Sequence, residues 1–180
     1  KMSEKILFTG KPEKTNLGYA LAKLSSAGIC EVINRDLKLN YTTLIPCNLY
    51  GPNDNFSMLK SHLIAAAIRK CIRFKKGLSE NIEIYGNGKV KREFMYVDDL
   101  SNFIIKIIFK NNIKHHYINC GYGKDYTVTD FYKKICKILK IKNNFKFDLS
   151  KPSGISRKLI DCSLAKKFYG FKVKTSIDLG

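Results

Sequence analysis

Tyr19 and Lys23 stand four residues apart in Tyr-Ala-Leu-Ala-Lys. On a helix, residues i and i+4 share one face. An ammonium beside a phenol favours the phenolate, which suits a proton donor to a ketone oxygen during hydride delivery. The pattern alone is weak, because 10 Tyr and 28 Lys yield about 1.6 such pairs by composition. A second pair, Tyr85 and Lys89, spans Gly86-Asn87-Gly88, where no helix holds the two together, and it reads as chance. His62 taken alone reads as a surface histidine at a helix end, and His115-His116 as a solvated strand start. Arg92 suits an ion pair with Asp98 or Asp99 as well as it suits a ligand. The Asp98-Asp99 pair itself reads as helix capping.

The elements that must carry these residues follow from periodicity. From Asn16, a capping type, Leu17, Leu21, Leu24, Cys30 and Ile33 recur at helical spacing to about Leu37. Tyr41–Pro46 reads as a buried strand ending in a loop, Asn48 to Asp54. Ser61 can cap a second helix with Leu63, Ala67, Cys71 and Phe74 on one face. A strand over 81–85 runs into the turn Gly86-Asn87-Gly88. Asp98-Asp99 open a helix with Leu100, Phe103, Ile104, Ile107 and Ile108 inward, the acids suiting the dipole. A strand covers 116–120, and Thr129 or Asp130 starts a helix with Phe131, Ile135, Ile138 and Leu139 inside. Lys133, Lys134, Lys137 and Lys140 form its solvated face. Residues 145–148 alternate as a strand, and a helix over 163–169 ends at Gly170. Alternating strand and helix patterns make the class α/β.

Composition bounds the rest. In 180 residues, 33 Lys plus Arg against 15 Asp plus Glu give a net charge of +18, a balance that nucleic-acid binders show. Only five of those cations are Arg, and Lys, Asn and Ile make up about a third of the chain, the mark of an A/T-rich coding background. Base readout and phosphate clamping favour Arg, and no nucleic-acid-binding motif is present, so most of the charge reads as solvated surface. No apolar run approaches the roughly 20 residues of a membrane span, and no signal-peptide pattern opens the chain. No nucleic acid or membrane is expected as a partner. The six scattered Cys have no metal-site or framework spacing; they read as small core residues in a cytoplasmic protein.

Context raises the Tyr19 pair above chance. Tyr19-x-x-x-Lys23, then Ile45-Pro46-Cys47-Asn48-Leu49-Tyr50-Gly51-Pro52-Asn53-Asp54-Asn55-Phe56 with Ser61-His62, then Arg92-Glu93-Phe94-Met95-Tyr96-Val97-Asp98-Asp99, resemble the extended short-chain dehydrogenase/reductase family. Ser150-Lys-Pro-x-Gly and Arg157-Lys158-Leu159 add to a resemblance that runs from about Thr9 to Gly180. It is closest to the branch that epimerises GDP-4-keto-6-deoxy-mannose at C3 and C5 and reduces it at C4 with NADPH, giving GDP-L-fucose.

The resemblance implies an NAD(P)-binding Rossmann-like fold, its C-terminal part, with a small α/β substrate-binding domain. Residues 1–56 would hold the last helix and strand of the Rossmann domain, 94–120 a return to it, and 57–93 with 121–180 most of the substrate domain. It makes Tyr19 the general acid at C4, Lys23 the holder of the nicotinamide ribose, and His62 the acid/base of epimerisation, since imidazole exchanges protons near neutrality. Pro46, Cys47, Asn48 and Leu49 would line the nicotinamide pocket beside Tyr19, Lys23 and His62, with NADP(H) as cofactor. Lys70, Tyr85, Arg92 and Ser153 would touch the GDP-4-keto-6-deoxy sugar, cations there suiting a pyrophosphate, and Arg69 is placed to share that work. A homodimer through the Tyr19 helix is also implied.

The departures are as informative. No GxxGxxG occurs, Gly10 stands alone, and the Ser and Cys that the family carries before its Tyr are missing. The chain therefore reads as the C-terminal half to two-thirds of a longer one, inactive by itself and a poor NADPH binder without the phosphate-cradling helix N-terminus. Ser153 stands where the family has Asp, and Tyr85 where it has Trp. These substitutions leave open reduction of another GDP-6-deoxy sugar, a heptose included, without epimerisation. A basic nucleic-acid-binding module, with Tyr19 and Lys23 merely structural, is the reading from another class.

Overall fold

The computed structural model describes residues 1–58, 60–110, 113–151 and 154–180. After two short 3-10 turns the order is α1 (Leu17–Leu37), β1 (Thr43–Pro46), β2 (Asn48–Tyr50), α2 (Leu63–Lys75), β3 (Ile82–Tyr85), β4 (Lys91–Tyr96), α3 (Val97–Ile108), β5 (Tyr117–Cys120), β6 (Asp125–Thr127), α4 (Val128–Leu139), β7 (Phe145–Asp148), β8 (Arg157–Lys158) and α5 (Ser163–Tyr169). The class is α/β, as expected. β1 pairs in parallel with β5, β2 with β4, and β3 with β7. β4 also takes β6 antiparallel and β8 parallel.

Burial separates three clusters. Met95, Phe103, Ile118, Cys120, Ala165 and Phe171 join β4, α3, β5 and α5. Ala67, Cys71, Ile82, Ile84, Tyr132 and Cys136 join α2, β3 and α4. Tyr50, Ile64, Phe94 and Phe131 lie in the third. Phe131 is edge-on to Phe94 and Tyr126, with ring centres 5.2 and 5.7 Å away.

Several boundaries differ from the sequence reading, each for a visible reason. α4 begins at Val128 because Thr127 and Asp130 form a reciprocal capping box: Asp130 N–H donates to Thr127 Oγ1 and Thr127 N–H to Asp130 Oδ2, both at 3.0 Å. Its inward face carries Phe131, Tyr132 and Cys136, while Ile138 faces solvent. Residues 48–50, read as loop, are strand because they pair with Phe94–Tyr96. β4, β6 and β8 carried no strand signal. Asn16 is the N-cap residue of α1, though its side chain makes no cap bond; the N-cap of α2 is His62 rather than Ser61, again without a side-chain cap bond.

Asp99 does not cap α3. Its buried carboxylate accepts the N–H groups of Lys174 and Thr175, both at 3.0 Å, and so ties the final segment to the helix. On α3, Leu100, Phe103 and Ile107 are buried, whereas Ile104 and Ile108 are exposed.

The two adjacent histidines are engaged rather than merely solvated. His115 Nδ1 lies 2.6 Å from Tyr169 Oη, and His116 Nδ1 lies 3.0 Å from Asn34 Nδ2. Among the described residues no helix is long and apolar enough to cross a membrane.

Candidate active site

A cavity of about 1340 Å³ opens where α1, the β1–β2 seam, α2 and the ends of β3 and β4 meet. Tyr19 and Lys23, one helical turn apart on α1, both line it, with Lys23 Nζ 5.6 Å from the Tyr19 ring centre. The i, i+4 expectation is thus met in space, within reach of a cation–π contact.

Pro46, Cys47, Asn48 and Leu49 form the opposing wall. They run from the last residue of β1 into β2, at the carboxyl end of β1, the edge at which open α/β sheets bind ligands. Two bonds fix this segment: Cys47 N–H donates to Cys120 O at 2.9 Å, and Asn48 Nδ2 donates to Glu93 O at 2.8 Å. Burial, with the Glu93 charge adding to it, pushes the Cys47 thiol up to about 12. At neutral pH it is therefore a protonated, weakly polar wall group and no nucleophile.

His62 also lines the cavity, at the start of α2. Its carbonyl accepts Ala66 N–H at 2.8 Å. Two turns on, Lys70 Nζ donates to Glu83 O at 3.0 Å and Glu83 Oε2 at 3.3 Å, and stands 3.8 Å from the Tyr85 ring centre. Burial lowers the pKa of Lys70, partly offset by Glu83. Lys151 Nζ approaches the same ring at 5.9 Å. Tyr85 is therefore a half-exposed aromatic surface with two ammonium groups beside it.

Arg92 is a cavity residue on β4. Its Nη1 donates to Lys91 O at 2.8 Å and Ile155 O at 2.7 Å, rather than pairing with Asp98 or Asp99. Burial lowers its pKa, while Glu13 acts the other way. Arg69 is engaged elsewhere. Its guanidinium donates to the carbonyls of Phe56, Ser57 and Met58, holding the loop before α2.

Every described candidate from the sequence reading lies on this one cavity. Ser153 lies outside the described residues. Among the charged residues of the cavity, sequence reasoning missed Glu93 and Lys158. Lys158 Nζ lies 3.7 Å from Glu13 Oε2. For Glu93 the signal was an acid between an arginine and a phenylalanine in an unrecognised strand. Among the described residues no group of His, Cys, Asp and Glu could hold a metal ion.

Comparison with known proteins agrees with the motif reading. The profile of the NAD dependent epimerase/dehydratase family matches residues 3–121. The GDP-L-colitose synthase of Yersinia pseudotuberculosis is 46% identical over 180 residues, covering 99% of this chain and 58% of that protein. The GDP-L-fucose synthase of Azorhizobium caulinodans is 39% identical over 155 residues, covering 86% of this chain and 50% of the relative. Among solved structures, the GDP-mannoheptose C4 reductase of Campylobacter jejuni, with NADP bound, superposes with a TM-score of 0.81 at 28% identity, over 98% of this chain and 61% of that one. The chain thus spans between half and three-fifths of the length of these relatives.

Proposed function

The chain belongs to the NAD dependent epimerase/dehydratase family, and on that premise we propose that it carries the nicotinamide-proximal and substrate-binding part of an NADP(H)-dependent reductase and epimerase of GDP-4-keto-6-deoxy sugars. The observation that carries this reading is the single cavity that gathers Tyr19, Lys23, residues 46–49, His62 and the cations of α2 and β4.

The residues present fit the nicotinamide-ribose end of the cofactor: a phenol and an ammonium on one helix face opposite a partly apolar segment whose thiol is neutral. A Gly-rich loop for its phosphates is not among them. When bound, NADPH supplies the hydride. Tyr19 donates its phenolic proton to the C4 ketone oxygen, and Lys23 stabilises the phenolate left behind. His62 exchanges protons at the carbons beside the ketone. Pro46–Leu49 exclude water from one side. Lys70 and Arg92 meet the pyrophosphate, and the Tyr85 ring offers the nucleotide-sugar a flat face.

The same reading assigns residues 1–56 and 94–120 to the dinucleotide-binding fold, and 57–93 with most of 121–180 to a substrate domain. The separate core of α2, β3 and α4 supports that division, whereas residues 162–171 pack with β5. Exposed Leu17, Leu21, Ile29 and Val32 on α1 support a homodimer through this helix. GDP-L-fucose formation is the first expectation. Reduction without epimerisation is the second, favoured by the likeness to a GDP-mannoheptose C4 reductase.

Loss of NADPH absorbance on adding GDP-4-keto-6-deoxy-mannose tests the reading in a protein of the relatives' full length carrying this chain. Steady consumption is expected. No consumption with this or any GDP-4-keto sugar overturns it.

A further inference from the structure

Glu93 is 1% exposed, yet it belongs to the cavity wall. A carboxylate in such a place is unfavourable unless its oxygens are satisfied, and an apolar side chain of similar volume would suit packing better. Its partners come from afar in sequence. Gly123 N–H donates to Oε1 at 2.6 Å and Ile160 N–H donates to Oε2 at 3.0 Å. The Glu93 carbonyl accepts Asn48 Nδ2 at 2.8 Å. One residue thus joins the segment after β5, the segment after β8 and the first residue of β2.

The surroundings are shaped to admit the carboxylate. A Cβ at Gly121 would stand 2.6 Å from Glu93 Oε1 and 2.9 Å from Ile160 Cγ1, closer than such atoms approach, so an alanine there displaces the carboxylate or Ile160. Burial raises the pKa of Glu93, and the two N–H donors oppose that by favouring the charged form. Cys47, one residue before Asn48, is tied to Cys120, one residue before Gly121. The β1–β5 pair and the β2–β4–β6–β8 sheet therefore meet at this residue, whose chain neighbour is Arg92.

We propose that Glu93 is a positioning residue: it fixes the Asn48 side of the cavity, where the cofactor reacts, relative to Arg92 on the substrate side. The proposal rests on the function proposed above. Glu93 touches neither reacting group; its carboxylate acts through the backbone at 123 and 160 to seat β4, whose carbonyl at 93 holds Asn48.

The test compares wild type, Glu93→Gln, Gly121→Ala and the double variant in the full-length protein, with NADPH and GDP-4-keto-6-deoxy-mannose. Glu93→Gln keeps the shape but turns one acceptor into a donor facing an N–H. Gly121→Ala keeps the carboxylate but crowds its seat. Each should lower kcat by about 10²-fold, the scale of a misplacement near 1 Å, while KM for the sugar stays close to wild type. The double variant should be no worse than the poorer single one, because both act on one seat.

Wild-type kcat in either variant, an effect confined to KM, or additive losses overturn the proposal. Should Glu93→Gln fail to fold, Gly121→Ala carries the same criterion. A wild-type protein that consumes no NADPH overturns the functional reading, and the proposal with it. Turnover by wild type matched by the variants overturns the proposal alone.

Discussion

Asn34 anchors the end of the helix that carries Tyr19 and Lys23, and its truncation has a magnitude that can be worked out. The residue is 8% exposed. Its Nδ2 donates to Tyr41 O at 2.7 Å and to His116 Nδ1 at 3.0 Å, and its Oδ1 accepts Tyr41 N–H at 2.6 Å. Asn34 Nδ2 is the donor in both of its bonds. Asn34→Ala removes all three bonds. Tyr41 and His116 reach solvent, so water replaces part of each, and a net value of about 1 kcal/mol per bond applies rather than a full desolvation penalty. The sum is about 2–3 kcal/mol, or about 4–12 °C in Tm for a chain of this size. Thermal melts followed by far-UV circular dichroism, with urea titration for the free energy, measure it. His116→Phe removes only one of the bonds and should lower stability by about 1 kcal/mol. A fall in Tm of about 1 °C or less for Asn34→Ala would show that the 38–42 turn is held by something else.

Other expectations concern the core and the charges. Phe131→Ala removes a ring that is 2% exposed and packed edge-on against Phe94 and Tyr126, and should lower the urea-unfolding free energy by about 3–5 kcal/mol. The buried Tyr50 hydroxyl has no hydrogen-bond partner among the described residues. Tyr50→Phe should therefore be neutral or stabilising by up to about 1 kcal/mol, and a comparable loss in urea unfolding would contradict this. Asp125, Asp148 and Asp161 are held below the usual carboxylate range by bonds from Arg157, Ser150 and Ser163 respectively. Their contribution is present above the ordinary value of about 3.9 and disappears as pH falls through their lower folded values. Tm should drop across that acid window, less steeply in Arg157→Ala.

Much of this arrangement was legible in the sequence because its signals are local. Helical spacing from Leu17 to Leu37 places Tyr19 over Lys23, and Gly170 ends α5 in the left-handed conformation that favours glycine. The motif segments at 19–23, 45–49, 61–62 and 92–93 line one cavity. What escaped notice is made by distant partners. Residues 48–50 look like a loop beside Gly51-Pro52 and become strand only against Phe94–Tyr96. Lys91-Arg92-Glu93 hides β4 behind three charges, and Glu93 is inward only because N–H groups at 123 and 160 receive it. The apolar stripe misplaced Ile108, which is 68% exposed, because an isoleucine-rich helix offers more apolar positions than its neighbours cover.

We propose that one cavity gives the substrate a proton from Tyr19 at the ketone oxygen and exchanges protons through His62 at the adjacent carbons. Turnover of GDP-4-keto-6-deoxy-mannose in deuterium oxide, read by mass spectrometry beside NADPH consumption, separates the two steps. In the full-length protein, Tyr19→Phe should abolish NADPH consumption while deuterium still enters beside the ketone. His62→Asn should abolish that deuterium entry. A Tyr19→Phe protein that consumes NADPH at the wild-type rate, or a His62→Asn protein with undiminished exchange, would contradict these roles.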